Sequence, residues 1–410
     1  MAFSLSRNER VFLQQQTALL TIPNTAGTAT VGNSNASRHV RVGLNNNVAL
    51  LVRPDKTGTR TQTAGTAGRK FAQWSLEQGL AANGTAGVKP DTDPVLKALM
   101  GQDGTTQAGS AAITGATNAT PIVITATAHG YANGDAVFIS GVLGNTAANG
   151  AWIIAAVTTN TFELIGSAGN GAYTSGGTAS RVNVKYLLSD SIPFFTMYAF
   201  RTPAAIEQRC IFGSVVSEAV FNLGQDVATW SANGEGIWVL DSKYFANADA
   251  TQKGGLTSFP AEPGAPVTNG GLITGFTGRF VVDGKNIANI QSATLRIATG
   301  NQIVKDTFGQ SYGDAVEGDE RQVTLDFSVY DDDATASDNL KKVSYDKTSV
   351  EAVLQVGNVV GNIWIWYMKG FQLAAPTYDD GQRRFKVNFN GSRGFGTSIT
   401  ALNEIALHIV

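Results

Sequence analysis

The amino-acid sequence predicts a mainly β protein with two tandem β domains, each with a short flanking helix, and a small inserted all-β domain. Its 410 residues include 46 glycines, 15% charged residues and 43% hydrophobic residues, a balance typical of turn-rich β structure. Short segments that alternate apolar and polar residues recur along the chain. The second half also repeats the order of the first, and a chain of this length has room for two or three cores.

The N-terminal segment, residues 1–38, is predicted to be an arm. It is polar, with a short helical pattern over residues 9–20 and then a stretch rich in Thr, Gly and Asn. Two interpretations stay open, an arm that orders on assembly and a frayed terminus. The segment lacks the apolar run and cleavage site of an export signal, and no stretch approaches the roughly 18 apolar residues that span a bilayer. We therefore expect no membrane anchor and synthesis in a reducing cytoplasm.

Residues 39–108 and 181–245 are predicted to form the first β domain. Its opening segment, "HVRVGLNNNVALLVRP", alternates apolar and polar residues on both sides of three asparagines, which indicates a strand, a turn and a second strand. A long polar loop, residues 55–68, leads to the strand "AQWSLEQGL". The segment "DTDPVLKALMG" then has a proline near its start and a glycine at its end, which suits a short helix.

Residues 109–180 are predicted to be a β module inserted after this helix, because they are nearly free of Lys and Arg and rich in Gly, Ala, Thr and Asn. Its motif "HGYANGDAVFISG" places His129 six residues before Asp135. The motif indicates a tight Asn-Gly turn and a strand, with a hydrogen bond between His129 and Asp135 across the turn. The two ends of the module are expected to lie close together at an exposed loop. Residues 246–271, rich in turn formers, are predicted to be a linker.

Residues 272–410 are predicted to form the second β domain, which repeats the order strand, long loop, strand, helix and strands. The strand "AQWSLEQGL" corresponds to "VTLDFSVYD", and residues 213–236 correspond to residues 370–394. This matching order favours a duplicated domain. The alternative is that any two β domains share a rhythm of strands and turns, since identity between the halves is low.

The sequence contains no recognisable catalytic or metal-binding motif. His39, His129 and His408 never fall in a metal-ligand spacing. The single cysteine, Cys210, is expected to be a buried small hydrophobe, with a reactive thiol as the alternative. There is no Gly-x-Ser-x-Gly elbow, phosphate-binding loop or Rossmann glycine pattern. We expect no enzyme activity, no catalytic residues, no cofactor and no metal.

Three further segments leave alternatives open. The carboxylate runs at residues 330–338 and 378–382 offer oxygens that suit Ca²⁺, but the first lacks the glycine and distal glutamate of a calcium loop and the second indicates a hairpin turn. The aromatic run at residues 362–371 places Trp364 and Trp366 on one strand face. That face suits core or subunit packing, and the alternative is a sugar-stacking platform.

The charge balance argues against a protein that grips nucleic acid through a strong positive field. Lys and Arg number 30, and Asp and Glu number 32. Strong non-specific binding to the phosphate backbone needs clustered positive charge. If DNA is a partner, we expect it not to be held tightly.

Three phrases of the sequence resemble the major tail tube proteins of long, non-contractile-tailed bacteriophages, the siphophages: "GRKFAQWSLEQGL", the following "GVKPDTDPVLKALMGQ" and the late "RRFKVNFNGSRGFG". The likeness runs from about residue 39 to the C-terminus, apart from the insert and part of the linker. The insert resembles a small β module that recurs in phage tail and fibre proteins. Both resemblances rest on order and short phrases rather than on an invariant motif.

The resemblance implies that both tandem domains are tail tube domains of the β-sandwich or barrel type, each with a flanking helix. It also implies a structural virion protein of the phage tail, synthesised in the host cytoplasm, that self-assembles into stacked rings. Such rings surround a tape-measure protein, meet tail terminator and distal tail proteins at their ends, and conduct viral DNA without sequence specificity during ejection. Two tail tube domains in one chain would make a trimeric, pseudo-hexameric ring the favoured assembly. A true hexamer is the alternative.

The resemblance also suggests roles for loops, because extended loops reach the neighbouring ring in this family. The matching loops are residues 55–68 and 301–320. Within them the candidate inter-ring residues are Lys56, Arg60, Thr61, Lys305, Asp306, Phe308 and Tyr312. Carboxylates suit a DNA-conducting lumen because they repel phosphate. The lumen candidates are Asp331, Asp332 and Asp333, and an exposed turn on the outer face is the alternative for all three.

Two other functional classes remain open from the sequence. The first is a tail fibre or adhesin that binds carbohydrate through Trp364 and Tyr173. The second is a β-rich hydrolase, which needs two converging carboxylates. No feature of the sequence identifies such a pair.

Overall fold

The computed structural model of the chain describes residues 6–52, 58–61, 64–202, 206–224, 226–264, 270–332, 335–381, 383–398 and 400–410. The helices in this part of the chain are α1 (Asp93–Met100) and α2 (Thr335–Asp346), and short 3-10 turns occupy Ser6–Asn8, Asn33–Asn35, Thr146–Ala148, Phe245–Asn247 and Gly275–Thr277. Neither α-helix is long and apolar enough to cross a membrane.

Strands account for most of the regular structure, so the prediction of a mainly β protein is confirmed. In chain order they are β1 (Glu9–Gln16), β2 (Asn24–Thr25), β3 (Thr28–Ala29), β4 (Ala36–Ser37), β5 (Arg41–Leu51), β6 (Thr66–Gly79), β7 (Thr105–Gln107), β8 (Ser110–Ala112), β9 (Gly115–Ala116), β10 (Val123–Thr125), β11 (Ala136–Ser140), β12 (Gly150–Ala155), β13 (Thr161–Leu164), β14 (Thr178–Ser180), β15 (Asn183–Tyr186), β16 (Phe194–Arg201), β17 (Arg209–Ser214), β18 (Glu218–Leu223), β19 (Thr229–Gly236), β20 (Trp238–Asp241), β21 (Arg279–Val282), β22 (Lys285–Asn286), β23 (Ile290–Ala298), β24 (Gln302–Ile303), β25 (Val316–Glu317), β26 (Gln322–Tyr330), β27 (Val350–Val356), β28 (Trp364–Gln372), β29 (Thr377–Asp379), β30 (Lys386–Phe395) and β31 (Ala406–Ile409).

Two sets of strands share one order, both along the chain and in space. The first β unit comprises β1, β5, β6, α1 and β16–β20, and the second β unit comprises β21, β23, β26, α2 and β27–β31. In the first unit the layers run β20-β17-β16-β1 and β18-β19-β6-β5. In the second unit they run β31-β28-β27-β21 and β29-β30-β26-β23. Within its layer each strand therefore has a counterpart with the same neighbours. β28 also pairs with β30, a pairing that the described residues do not show between their counterparts β17 and β19.

Most strand registers of the two units also agree, although β26 and β30 shift register between Leu325 and Phe327 and the matching strands β6 and β19 do not. Gly236 lies opposite Ala72 in the first unit, and the residues aligned with them, Gly394 and Val323, lie opposite each other in the second. In the other layer both units shift register at matching places, between β16 and β17 and between β27 and β28. Register is set separately by each hydrophobic pattern and turn. The agreement therefore favours duplication of one β unit.

The two units join edge to edge through β18 and β23, which pair antiparallel. The pairing produces one run of eight strands, β5-β6-β19-β18-β23-β26-β30-β29. On its apolar face the ring of Phe221 stacks on that of Trp230, with centroids 5.5 Å apart, and lies 5.2 Å from that of Trp366. Buried residues of both units belong to one hydrophobic cluster. The two units therefore share a core.

The helical prediction near the N-terminus is wrong, because residues 9–16 form β1. This strand pairs along its whole length with β16. The consecutive residues Val11, Phe12 and Leu13 are all buried, since β1 has apolar neighbours on both of its faces. A continuous apolar run suits a strand covered on both sides, and the sequence does not reveal that cover. Residues 9–16 and 36–37 of the predicted arm thus lie within a sheet.

The predicted turn at the three asparagines is also wrong. Residues 41–51 form the single strand β5, in which Asn45 lies opposite Gln73 and Asn47 opposite Phe71. The side chain of Asn46 donates a hydrogen bond to the Val239 carbonyl (2.8 Å) and accepts one from the Val239 N–H (2.7 Å). These two hydrogen bonds satisfy the backbone N–H and carbonyl of Val239 in β20. They also explain why Asn46, a turn-forming residue, lies inside a strand.

The inserted segment forms its own seven-stranded sheet, β8-β14-β11-β12-β13-β10-β9, within residues 110–180. Its core contains Val137 and Ile139, which share one buried face as predicted. Ser110 at its start lies opposite Ser180 at its end, so the two ends are close together, as expected. The insert therefore leaves and rejoins the chain at one place.

One face of the insert packs on the outside of the second β unit. The contact is a second apolar cluster that includes Ile153 and Ile165 from the insert and Val353 and Ile365 from the unit. The guanidinium of Arg279 lies 3.6 Å from the ring centroid of Trp152 and also donates to the Ala151 carbonyl and to Oε1 of Gln355. Burial lowers the pKa of Arg279 to about 10, so this cation stays charged at neutral pH.

Candidate assembly site

The run of eight strands has one apolar face and one polar face. In β6, Trp74 and Leu76 are buried on one side, whereas Gln73, Ser75 and Glu77 are exposed on the other. The same alternation of buried and less buried residues continues through β19, β23 and β26. This period of two places one side of the sheet against the core and leaves the other side open to solvent.

Charges on the polar face nearly cancel. The face is taken over the eight strands without the projecting ends of two of them, so that β5 contributes residues 41–47 and β6 residues 72–79. Its basic side chains are Arg41, Arg296, Lys386 and Arg393. Its acidic side chains are Glu77, Glu218, Glu235, Asp326 and Asp379. Arg296 forms an ion pair with Glu218 across the joint between β23 and β18. Lys305 lies outside the sheet and forms an ion pair with Glu235, with Nζ and Oε1 2.5 Å apart. A face of this composition produces no strong positive field.

The run of eight strands ends in two open edges. Within the described residues, β5 pairs only with β6, and β29 pairs only with β30. β5 is 11 residues long and contains no Lys or Pro, so its protection as an edge strand is limited to Arg41 and a register shift between Val48 and Leu50. Beyond Asn47 it also exposes apolar side chains, with Leu50 69% and Leu51 59% exposed. Such an edge is a template for pairing with another strand.

The candidate residues of the first predicted loop lie beyond the β5–β6 hairpin. Arg60 and Thr61 are exposed, and Lys56 lies outside the described residues. β5 and β6 pair over more residues than their counterparts β23 and β26 do. Their pairing continues as far as Leu51 opposite Thr66, whereas that of β23 and β26 ends at Ala298 opposite Gln322. The loop therefore starts at the tip of a projecting strand pair. The inter-ring role of these residues stays a prediction.

The second loop, residues 301–320, is anchored at its base and exposed at its tip. Lys305 binds Glu235 and lies over the ring of Phe71, with Nζ 4.3 Å from its centroid. The Tyr312 hydroxyl accepts a hydrogen bond from Lys70 Nζ (3.0 Å) and donates one to Asp249 (2.7 Å). These contacts tie both residues to the first unit.

The tip of the second loop holds the remaining candidates. Asp306 is exposed, and the Phe308 side chain is fully exposed. A fully exposed phenylalanine is the kind of side chain that acts as an anchor in protein interfaces. A contact with a neighbouring ring stays a prediction for both residues.

The lumen candidates follow β26 and lie beside the start of α2. Asp331 forms an ion pair with Lys341 of α2, with Oδ1 and Nζ 2.8 Å apart. Asp332 accepts hydrogen bonds from Asn289 Nδ2 (3.0 Å) and from the Ser337 hydroxyl (2.5 Å). Asp333 lies outside the described residues. The two described carboxylates thus link the end of β26 to side chains of α2. Their place in a lumen stays a prediction.

The predicted hydrogen bond between His129 and Asp135 is wrong. His129 instead accepts a hydrogen bond at Nδ1 from the Tyr131 N–H (3.1 Å). Asp135 forms ion pairs with Arg181 and Lys185, both at 3.1 Å. Burial alone would raise the pKa of Asp135, but the Ala132 N–H and the two cations outweigh it and hold that pKa below its ordinary value. We call Asp135 and its two ion pairs the clamp, because they join the insert to Arg181 and to Lys185 of β15, the strand that follows the insert.

Replacing Asp135 by asparagine is expected to lower the free energy of unfolding by about 2–3 kcal/mol at pH 7. Removing the carboxylate leaves Arg181 and Lys185, which are 23% and 17% exposed, without their counter-charge. Because the pKa of Asp135 is depressed by folding, its contribution is present above the ordinary carboxyl pKa and is lost as the pH falls through the folded value.

Denaturant unfolding of the Asp135 variant at pH 7 checks this expectation. Asp103→Asn is the matched control, because Asp103 is 57% exposed beside Lys89 and Lys97 and its loss should cost less than about 1 kcal/mol. Equal costs for both variants would contradict the clamp.

His408 is a fully buried histidine in β31, opposite Ile365 and Lys185. Neither of its ring nitrogens makes a hydrogen bond of good geometry among the described residues, and the backbone of Gly134 lies close enough to oppose the fall in the His408 pKa. Burial, reinforced by the charge of Lys185, lowers the pKa of His408 to about 3. The folded protein therefore holds this imidazole neutral, while the unfolded chain protonates it near its ordinary pKa.

The stability of the chain should consequently fall as the pH drops below about 6.5, by at most about 1.4 kcal/mol per pH unit from this one group. His408→Leu removes the titration, so its stability should fall less steeply between pH 6.5 and 4 than that of the wild type. Urea unfolding of both proteins across this range measures the difference. Parallel curves would show that His408 is not held neutral.

The aromatic run lies in the core. Trp364 and Trp366 are both fully buried, and their rings lie 6.3 and 5.2 Å from that of Phe221. Tyr173 uses its hydroxyl to donate toward the carbonyls of Ile113 (2.9 Å) and Gly176 (3.1 Å). The two tryptophans are thus not available to stack on a sugar, and the run packs the joint between the two β units.

The alternatives of calcium binding and of a reactive Cys210 thiol gain no support from the described residues. They contain no group of three or more His, Cys, Asp and Glu side chains that could hold a metal ion. Cys210 is fully buried, and burial raises the pKa of its thiol well above its ordinary value. The run at residues 378–382 contains a turn in which Asp379 accepts a hydrogen bond from the Gly381 N–H (2.9 Å).

No protein-family model matches the chain, and no curated protein matches it. The candidate site therefore rests on the geometry of the chain itself.

Sequence reasoning did not identify the two open edges as candidate sites. The alignment of the two halves placed Tyr378 of β29 opposite Phe221 of β18, but this match carried no signal by itself, because the difference in burial is visible only in the structure. Phe221 is fully buried and Tyr378 is 58% exposed. An exposed aromatic residue whose counterpart is buried indicates a missing neighbour.

Proposed function

We propose that the chain is a self-assembling structural subunit whose copies join edge to edge into rings, and that the rings stack into the tail tube of a long-tailed phage. The observation that carries this proposal is the repeated β unit with two open edges. β18 and β23 join the two units within one chain, and their counterparts β29 and β5 are the two strands of the eight-strand run that have no outer partner among the described residues.

An edge that fits the opposite edge of the same sheet generates a head-to-tail contact. Such heterologous contacts close into a ring or continue as a filament, and a closed sheet leaves no unpaired edge. Each chain contributes two β units, so three chains place six units around the ring. A trimeric, pseudo-hexameric ring is therefore the assembly we favour, and a ring of six chains is the alternative.

The polar face of the sheet suits the inside of such a ring. Its basic and acidic side chains nearly cancel, and much of the remainder is Ser, Thr, Asn and Gln. DNA passes along a surface more easily where clustered positive charge does not hold its phosphates. On this proposal the face lines the DNA conduit around a tape-measure protein, and the loop tip with Phe308 contacts the next ring.

Electron microscopy and sedimentation of the purified chain over a range of protein and salt concentrations test the proposal. Rings or tubes of uniform diameter are the expected result. A chain that remains a monomer under every condition would argue against it. The carbohydrate-binding alternative gains no support from Trp364, because that side chain is fully buried.

A further inference from the structure

The joint within the chain provides a template for the contact between chains. Across this joint Val220 lies opposite Arg296, Phe221 opposite Leu295 and Asn222 opposite Thr294. Every residue in these pairs has a counterpart in the other β unit. Transferring the pairs to those counterparts gives the register of the contact between two copies.

The strand registers fix the counterparts of β18. Gly79 lies opposite Thr229 and Thr229 opposite Asn222 in the first unit. In the second unit Tyr330 lies opposite Lys386 and Lys386 opposite Asp379. Because the alignment of the halves matches Gly79 with Tyr330, Asp379 is the counterpart of Asn222. Tyr378 is then the counterpart of Phe221, and Thr377 that of Val220.

The counterparts of β23 follow in the same way. Gly43 lies opposite Ser75, and Thr294 lies opposite Asp326. The alignment of the halves matches Ser75 with Asp326. Gly43 is therefore the counterpart of Thr294, Leu44 that of Leu295 and Asn45 that of Arg296.

We propose that β29 of one copy pairs antiparallel with β5 of a second copy, with Thr377 opposite Asn45, Tyr378 opposite Leu44 and Asp379 opposite Gly43. This inference rests on the proposed function, since it requires chains that assemble edge to edge. It adds the identity of the two strands and their register.

The exposure of Tyr378 agrees with this contact. In the joint within the chain Phe221 lies opposite Leu295, and both are fully buried. Tyr378 occupies the matching place at the open edge and is 58% exposed, because no strand lies beyond β29 among the described residues. The β5 of a second copy covers the Tyr378 ring with Leu44 and Val42.

Charge complementarity on the polar face agrees as well. In the proposed register Asp379 lies opposite Gly43, which has no side chain to block it. Arg41 is then its diagonal neighbour, within reach of a long side chain. The contact begins after Pro376, which has no N–H to donate to a further strand.

Cross-linking of engineered cysteines tests the register. Asn45→Cys together with Thr377→Cys places two thiols directly opposite each other on the exposed face, at a separation that a disulfide spans. The only native cysteine, Cys210, is fully buried and does not compete. The matched control is Asn47→Cys with Thr377→Cys, because residue 47 lies two places out of register and its diagonal separation exceeds disulfide geometry.

Each double variant is assembled under reducing conditions and then oxidised, and the products are separated on non-reducing gels. Covalent species of two and three chains from the variant that combines Asn45→Cys with Thr377→Cys, at least about tenfold above the control, are the expected result. Assembled rings in which the control pair cross-links equally well, or in which the designed pair does not cross-link, overturn the register but leave the proposed function standing. A wild-type chain that never assembles removes both.

A second test avoids cysteines and so does not depend on their effect on assembly. Arg41→Asp and Asp379→Arg should each weaken assembly, and the double variant should recover it because the charges are exchanged between diagonal neighbours. The readout is the protein concentration at which assemblies appear in sedimentation. A double variant that assembles no better than the worse single variant overturns the pairing.

Discussion

Phe221→Ala should lower the free energy of unfolding by about 3–5 kcal/mol, the largest stability loss that we expect from a single substitution in the joint. The Phe221 ring is fully buried and contacts the rings of Trp230, Trp364 and Trp366. Its removal leaves a cavity between the two β units. Aromatic pairs add stabilisation beyond the buried area, so several contacts are lost together. Equilibrium unfolding in urea or guanidinium measures the change.

The matched control for this experiment is Phe308→Ala, which removes the same side chain from a fully exposed position. A surface substitution of this kind changes stability by less than about 0.5 kcal/mol. If Phe221→Ala costs no more than Phe308→Ala, the two units do not share the core described above. If it produces two separate unfolding transitions, the units are less tightly coupled than we infer.

Tyr378→Arg should prevent assembly while leaving the subunit folded. Tyr378 is 58% exposed in the single chain, so the substitution should change the free energy of unfolding by less than about 0.5 kcal/mol. In the proposed contact the same position is covered by Leu44 and Val42 of the next copy, and a buried guanidinium without a partner is costly. We expect the concentration needed for assembly to rise at least about tenfold, equivalent to about 1.4 kcal/mol per contact.

Sedimentation of the variant at increasing concentration, with thermal unfolding as the check on folding, measures this effect. Val359→Arg is the control, because Val359 is similarly exposed (63%) and belongs to neither open edge. Normal assembly of Tyr378→Arg would contradict a contact through β29. Loss of assembly in both variants would indicate a general effect of added charge.

Much of the fold could be predicted from local patterns. Trp74 and Leu76 in β6, and Leu325 and Phe327 in β26, alternate with polar residues, and a period of two is a local property of the sequence. The segment of α1 was recognisable from Pro94 at its start and from Gly101, which ends it with φ at 85°. The order of elements in the two halves was visible for the same reason.

The errors arise where distant contacts decide the conformation. The Asn46 side chain binds the backbone of Val239, far away in the sequence, and this contact holds a turn-forming residue in a strand. Asp135 takes its partners from Arg181 and Lys185 beyond the end of the insert rather than from the nearby His129. No local pattern contains these partners.

The candidate site depends even more on distant contacts. An edge strand and a central strand have the same alternation, so the sequence of β5 does not tell whether a strand pairs on its outer side. The pairing of β18 with β23 is the observation from which we propose the contact between β29 and β5. The loops were recognisable from their polar composition, but the anchoring of Lys305 and Tyr312 on the first unit was not.

An averaged electron cryomicroscopy map of assembled chains tests the central claim most directly. The account predicts stacked rings of three chains, each ring closed by pairing between β29 and β5, with the polar face that carries Gln73, Ser75 and Glu77 turned toward the lumen. A map in which this face lies on the outside, or in which β5 and β29 remain unpaired between chains, would contradict it.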